Sequence, residues 1–196
     1  MKRKYPRNRS LGVSKIGSSL LLLGMFIPWF VFWGFPFITR VTDAGESVSS
    51  FKEEAKRAIK TLTACLMDPI SKKNVGDIEA GMDRIVSDAE KEGKPINFGI
   101  GILDRNGVAV AGRYAVGIFK EEDFSKYKFV KKAFKKKKII QERLYLQDHS
   151  ELWAVCVPLV QQKNVVGAIV LGFDQTQVKK DYDLSAEQFL ALDFNK

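Results

Sequence analysis

Residues 152–174 read LWAVCVPLVQQKNVVGAIVLGFD, two apolar runs separated by the polar trio Gln162-Lys163-Asn164. Both runs, Leu152 to Gln161 and Val165 to Phe173, are rich in the β-branched and aliphatic residues that suit strands, and so short a link joins only antiparallel neighbours. Upstream, Ile139 to Gln147 is a third run, connected through Asp148 to Glu151, so the three form an antiparallel meander. Earlier still, Ile96, Phe98, Ile100 and Ile102 alternate with Asn97, Gly99 and Gly101, and the turn Asp104-Arg105-Asn106-Gly107 leads into Val108 to Gly112. This is a hairpin, because the Asn-Gly pair accepts positive φ at little steric cost. A five-stranded antiparallel sheet over about 96–173 is therefore expected.

The rest of the chain has the helical period. Val48, Phe51, Ala55, Ala58, Ile59, Leu62, Cys65 and Leu66 recur at spacings of three and four, predicting an amphipathic helix over about 42–67 that stops before Pro69. A second helix over about 75–92 places Ile78, Met82, Ile85 and Ala89 on one face and ends at Gly93, with Pro95 beyond. Between the two groups of strands, FSKYKFVKKAFKKKK (Phe124 to Lys138) steps Phe124, Tyr127, Val130 and Phe134 along one side of a short helix. Residues 175–194 form a C-terminal helical segment, with Leu184, Phe189, Leu190 and Leu192 for packing and Ser185 as a cap. The fold class is α+β, with a long N-terminal helix beside the sheet. No repeat or low-complexity linker divides the region 41–196, which suits one domain.

Ahead of that domain, residues 16–38 read IGSSLLLLGMFIPWFVFWGFPFI without a charge, long enough to span the bilayer hydrocarbon. The run exceeds a cleavable signal core, so it is expected to stay as a transmembrane helix, with Trp29, Trp33, Phe35 and Phe37 at the headgroup level. Lys2, Arg3, Lys4, Arg7, Arg9 and Lys15 precede it with no acidic residue among them. The positive-inside rule keeps this 1–15 tail in the cytoplasm and places the 41–196 domain outside a cell inner or plasma membrane, in the periplasm or its equivalent.

Those six cations account for most of the formal net charge of +9, so the outer domain is only mildly basic. Nucleic acid is not an expected partner, since the main cationic cluster is explained by topology and no nucleic-acid-binding motif is present. Cys65 and Cys156 belong to no CxxC pattern, which excludes a thioredoxin-like or zinc-ribbon site. In an oxidising compartment they form a candidate disulfide, but two buried thiols are the ordinary reading, with Cys65 on the apolar face of a helix and Cys156 inside a strand. His149, the single histidine, lies in a polar turn. No nucleophile motif, phosphate loop or metal-ligand spacing is found, so the chain reads as neither an enzyme nor a holder of a cofactor.

The long helix, ILDRNGVAVAG at residues 102–112 and the hairpin at 152–174 together resemble an extracytoplasmic Cache domain of the PAS-like superfamily. Asp104 and Gly107 match the D-x-x-G turn of such domains, and Pro158, Gly167 and Ala168 match their final hairpin. The resemblance covers about 41–174 and implies ligand sensing for signal transduction, with a small organic anion as the favoured ligand. Relatives that bind amino acids carry an arginine closely followed by a Trp-Tyr pair before the third strand. No such run is present here, so amino acids are not implied. With Lys196 following the domain and only the short tail inside, the resemblance implies that a separate signalling partner receives the state of the domain. A homodimer through the long helix and anchor is also expected.

The candidate ligand-binding residues are Arg113, Tyr114, Tyr127, Arg143, Tyr145, Trp153 and Asp174. Gln141, Arg143, Tyr145 and Gln147 share one face of the third strand, and two readings stand. Turned inward beneath the loop 113–123, Arg143 holds a carboxylate through its two-pronged guanidinium while Tyr145 adds a hydroxyl; turned outward, these residues are simply solvated. Lys131, Lys132, Lys135, Lys136, Lys137 and Lys138 form a candidate surface for anionic lipid or polymer, against the plainer reading of a solvated helix face. The competing function is a structural or adaptor protein that docks a membrane partner or an anionic surface without binding a small molecule.

Overall fold

A stripe of apolar residues spaced three or four apart makes the amino-terminal part of the domain one long helix. In α1 (Ala44–Ser71), Phe51, Ala55, Ile59, Leu62, Leu66 and Ile70 are all buried along one side. The computed structural model describes residues 44–93, 96–113, 123–145 and 151–196. The basic tail and the apolar run assigned to the anchor lie outside the described residues, as do Tyr114 and His149. Among the described residues, no helix is long and apolar enough to cross a membrane.

α1 runs through Pro69 instead of stopping ahead of it. Proline forfeits one amide bond, but its φ is already helical, and the added turn carries Ile70 into the core at 3% exposure. The helix closes at Lys73, whose φ is 56°; the Lys73 amide donates to the Ile70 carbonyl and the Asn74 amide to the Pro69 carbonyl, both at 3.0 Å. These are the two bonds of a Schellman motif. Asn74 then caps α2 (Val75–Lys91) by accepting from the Asp77 amide. α2 buries Ile78 and Met82, half-buries Ile85, and gives way to Gly93 at φ 69°.

The sheet contains β1 (Phe98–Asp104), β2 (Ala109–Arg113), β3 (Ile140–Tyr145), β4 (Glu151–Gln161) and β5 (Asn164–Asp174), with α3 (Lys128–Lys136) between β2 and β3. Its order is β2-β1-β5-β4-β3 and every pairing is antiparallel, as expected from the short links. α4 (Gln175–Tyr182) and α5 (Ala186–Ala191) complete the chain. Ser185 caps α5 in a reciprocal capping box with Gln188. Leu184, Phe189 and Leu192 are buried as expected, whereas Leu190 is exposed.

Both faces of the sheet are covered, which is why β4 and β5 read as continuous apolar runs instead of alternating ones. Trp153, Val155, Val157, Leu159, Ile169, Leu171 and Phe173 join the core with α1, α2 and α5. Leu152, Ala154, Cys156, Ala168 and Val170 join a second core with Phe124 and with Phe129, Val130 and Ala133 of α3. The helical segment expected over Phe124 to Lys138 is thus shorter but lies against the sheet.

Two close approaches fix the register of these layers. A Cβ at Gly167 would lie 2.4 Å from the Leu103 carbonyl oxygen and 2.7 Å from Cγ2 of Ile70, so only glycine lets α1 reach the sheet here. At the β1–β2 turn, the Asp104 carboxylate accepts from the amides of Asn106 (2.8 Å) and Val108 (3.0 Å). Gly107 takes positive φ there, at 85°, while Asn106 does not, so the side chain of Asp104 takes over the role expected of Asn106.

Candidate functional site

The site is built from the pairing of β3 with β4. Arg143 lies opposite Trp153, and Tyr145 opposite Glu151. Because Trp153 belongs to the core shared with α1 and α5, the polar face of β3 turns to that side, where α5 lies over it. At Arg143 the face meets α5 and is not merely solvated, while Tyr145 at the end of the strand remains 68% exposed; most of the 113–123 loop named in the inward reading lies outside the described residues. α5 is held in place by Phe189, which stacks on the indole of Trp153 at 4.9 Å between centroids. Gln141 adds to this by donating from Nε2 to the carbonyls of Leu190 (3.1 Å) and Leu192.

Arg143 does hold a carboxylate through both prongs, and the carboxylate is the chain's own. Nε donates to Oε1 of Glu151 at 2.7 Å and Nη2 to Oε2 at 2.9 Å. Nη2 also donates to the Tyr145 hydroxyl at 2.9 Å, and the indole Nε1 of Trp153 donates to Oε1 of Glu151 at 2.7 Å. Glu187 of α5 stands 3.9 Å from Nη1. The bonds from Arg143, reinforced by the one from Trp153, hold the Glu151 carboxyl below its ordinary pKa, and Glu151 in turn raises that of Arg143. Such a charge-assisted fork fixes both partners in orientation as well as in charge.

The other candidates are dispersed. Arg113 donates from Nε (2.9 Å) and Nη2 (2.6 Å) to Oδ1 of Asp83 on α2. Asp174 is the N-cap of α4 and accepts from the Gln177 amide at 2.8 Å, so it closes a helix end. Tyr127 packs beside Phe124 and Phe129 at the start of α3. Among the described candidates, only Arg143, Tyr145 and Trp153 come together, and they do so around Glu151 and Glu187, two residues the sequence reading missed. One signal was available for Glu151: in a strand it shares a face with Trp153, two residues on.

Lys131, Lys132, Lys135, Lys136, Lys137 and Lys138 are all exposed on and just after α3. Lys137 adopts φ 53° where α3 ends, and its ammonium donates to the carbonyl of Lys163 in the β4–β5 turn. The cysteines are both free. Cys65 is exposed on α1 while Cys156 is buried beneath α3, on the other side of the sheet, so no disulfide joins them and the expected burial holds for one thiol only. Burial alone pushes the Cys156 thiol far above its ordinary pKa.

The fold is similar to that of several solved structures, extracellular domains among them. Among solved structures, the extracellular domain of vpHK1S-Z8, named as a histidine kinase, matches with a TM-score of 0.53 and 14% identity, over 74% of this chain and 60% of that one. A domain of a protein from Vibrio parahaemolyticus, named as of the sensory box/GGDEF family, gives a TM-score of 0.53 and 14% identity over 74% and 61%. The extracellular domain of mmHK1S-Z2, also named as a histidine kinase, gives 0.50 and 12% over 70% and 60%. The chain spans about three fifths of the length of these structures. No protein-family model matches the sequence, and no curated protein matches it.

Proposed function

We propose that this chain is a membrane-anchored extracytoplasmic sensor of Cache type that binds a small organic anion and passes its state to a partner protein. Two features support the reading: the fold shared with extracellular sensor domains and the guanidinium of Arg143 at the end of the sheet. The observation that carries the ligand class is the fork between Arg143 and Glu151, flanked by Tyr145 and Trp153. This is a carboxylate-binding site occupied by an internal carboxylate on a side chain, and a free carboxylate of matching shape competes for the same two donors. Displacing Glu151 alters the contacts that keep α5 and Trp153 in place, and that change reaches α1 through the core they share. A ligand shifts such an equilibrium only by its differential affinity for the two arrangements. A homodimer through α1 and the anchor is part of the proposal.

The test is a thermal-shift and calorimetric screen of the purified chain against small carboxylates, amino acids, amines and polyanions. A carboxylate that binds loses its affinity in Arg143→Gln. In Glu151→Gln, which removes the internal competitor's charge, it binds about tenfold more tightly, since a hydrogen bond to a charged group contributes about 1.5–3 kcal/mol. Equal affinity for wild type and both variants rejects Arg143 as the anchor.

A second reading, a docking domain without a small ligand, is favoured by the core between the sheet and α3, which among the described residues is lined by apolar side chains. It predicts a well-folded chain that gives no saturable shift with any small molecule. A role of the lysine face of α3 in that docking predicts binding to anionic vesicles that weakens with salt and is lost on charge reversal of Lys131, Lys132 and Lys135.

A further inference from the structure

Where α1, α4 and one end of the sheet meet, the aromatic side chains do not quite fill the space between them. A cavity of about 40 Å³ remains, lined by Phe51 and Glu54 of α1, Phe98 of β1, Phe173 of β5, and Asp181 and Tyr182 of α4. Its floor is aromatic: the ring of Phe51 meets those of Phe173 and Tyr182 edge-on at 5.2 Å each, and Phe98 lies 5.3 Å from Phe173. Its rim is acidic and exposed, and no lysine or arginine pairs with Glu54 or Asp181 among the described residues. Each of these carboxylates uses one oxygen within the chain. Oε2 of Glu54 accepts from the Tyr182 hydroxyl and Oδ2 of Asp181 from Nε2 of Gln177, both at 2.6 Å. The second oxygen of each has no partner among the described residues. Burial first, and then the charge of Glu54 and Asp181, pushes the Tyr182 phenol well above its ordinary pKa, so it remains a protonated donor.

We propose that this cavity is a binding site for the ammonium head of a small primary amine. Ring faces attract a cation through their quadrupole, and the free carboxylate oxygens of Glu54 and Asp181 accept its N–H bonds. Size selects among cations: a single water takes about 10–15 Å³ of such space, so the cavity admits about three heavy atoms. Ethylammonium fits that limit and tetramethylammonium does not. A bound amine ties α1 to α4, because one acceptor comes from each helix. The site shares no lining residue with the Arg143 fork and prefers the opposite charge, although Phe51 meets the same core through Phe189 at 6.3 Å.

The experiment is isothermal titration calorimetry of the full chain with ethylammonium chloride, with tetramethylammonium and sodium chloride as controls. Saturable binding of ethylammonium is expected, weakened at least tenfold in Glu54→Gln and in Asp181→Asn and unchanged in Arg105→Gln, a change at an exposed turn residue. Asp181 does not touch Tyr182 by a hydrogen bond, so Asp181→Asn keeps the test valid if Glu54→Gln loosens α4; circular dichroism checks the fold of each variant. Absence of saturable binding, equal binding of tetramethylammonium, retention of affinity in Asp181→Asn, or its loss in Arg105→Gln would each overturn the proposal.

Discussion

Arg143 and Glu151 form a two-pronged ion pair across neighbouring strands, at 2.7 and 2.9 Å, and the indole of Trp153 makes a third bond to the same carboxylate. The pH dependence follows from its sign. The folded-state pKa of Glu151 is depressed, so its contribution to stability is complete above the unfolded value of about 4.3 and is lost as pH falls through the lower folded value. Melting temperature measured from pH 6 down to pH 2 should therefore fall more steeply in wild type than in Glu151→Gln. Parallel curves would show that the fork adds nothing to folding.

Gly167 of β5 leaves room for both the Leu103 carbonyl of β1 and Ile70 of α1. Gly167→Ala forces a methyl group to within 2.4 Å of the Leu103 carbonyl oxygen, a backbone atom that cannot turn aside, and should destabilise by about 3 kcal/mol in urea unfolding. Gly81→Ala is the contrasting case. Its new methyl meets the far end of Leu66 at 2.9 Å, and alanine is the better helix former by about 1 kcal/mol, so the net change should lie within about 1 kcal/mol of zero.

Gln162 and Lys163 both hold positive φ, at 49° and 67°, in the two-residue turn between β4 and β5. That backbone favours Asn-Gly, and a residue with a Cβ is strained there by about 1–2 kcal/mol. Lys163→Gly should raise stability by about 1 kcal/mol. It leaves the carbonyl that accepts from Lys137 in place, so the tie to the end of α3 survives.

The two thiols should separate cleanly by reactivity. Cys65 is exposed and Cys156 buried, so a thiol reagent added to the native chain should modify one cysteine per molecule at once and the second only on unfolding. Peptide mapping of the labelled residue assigns them. Immediate reaction at Cys156 would contradict the core beneath α3.

What could be read from the sequence, and what could not, divides along a physical line. The strands were legible because their links are short and their apolar runs sharply bounded; β4 and β5 differ from the expected limits by one residue. The end of α1 was not, because the preference against helix before Pro69 is local while the burial of Ile70 against Gly167 is a contact across nearly a hundred residues of chain. Cys65 followed the apolar spacing yet fell at the edge of the stripe, where rotation by one residue decides exposure. Arg143 and Tyr145 were recognised as a pair, but the direction of their face depends on α5. Six residues with one capping box give too weak a periodic signal to place that helix over β3.

α1 has 28 residues and so is about 42 Å long. Its carboxyl end is wedged where Ile70, 3% exposed, enters the gap left by a missing side chain. Near its amino end, Phe51 and Ala55 border the small cavity beside α4. A rigid rod clamped at one end and loosely seated near the other behaves as a lever: Ile70 is the fulcrum, and a small change in what fills the space at Phe51 is carried outward as a swing of the end that leads back toward residue 44.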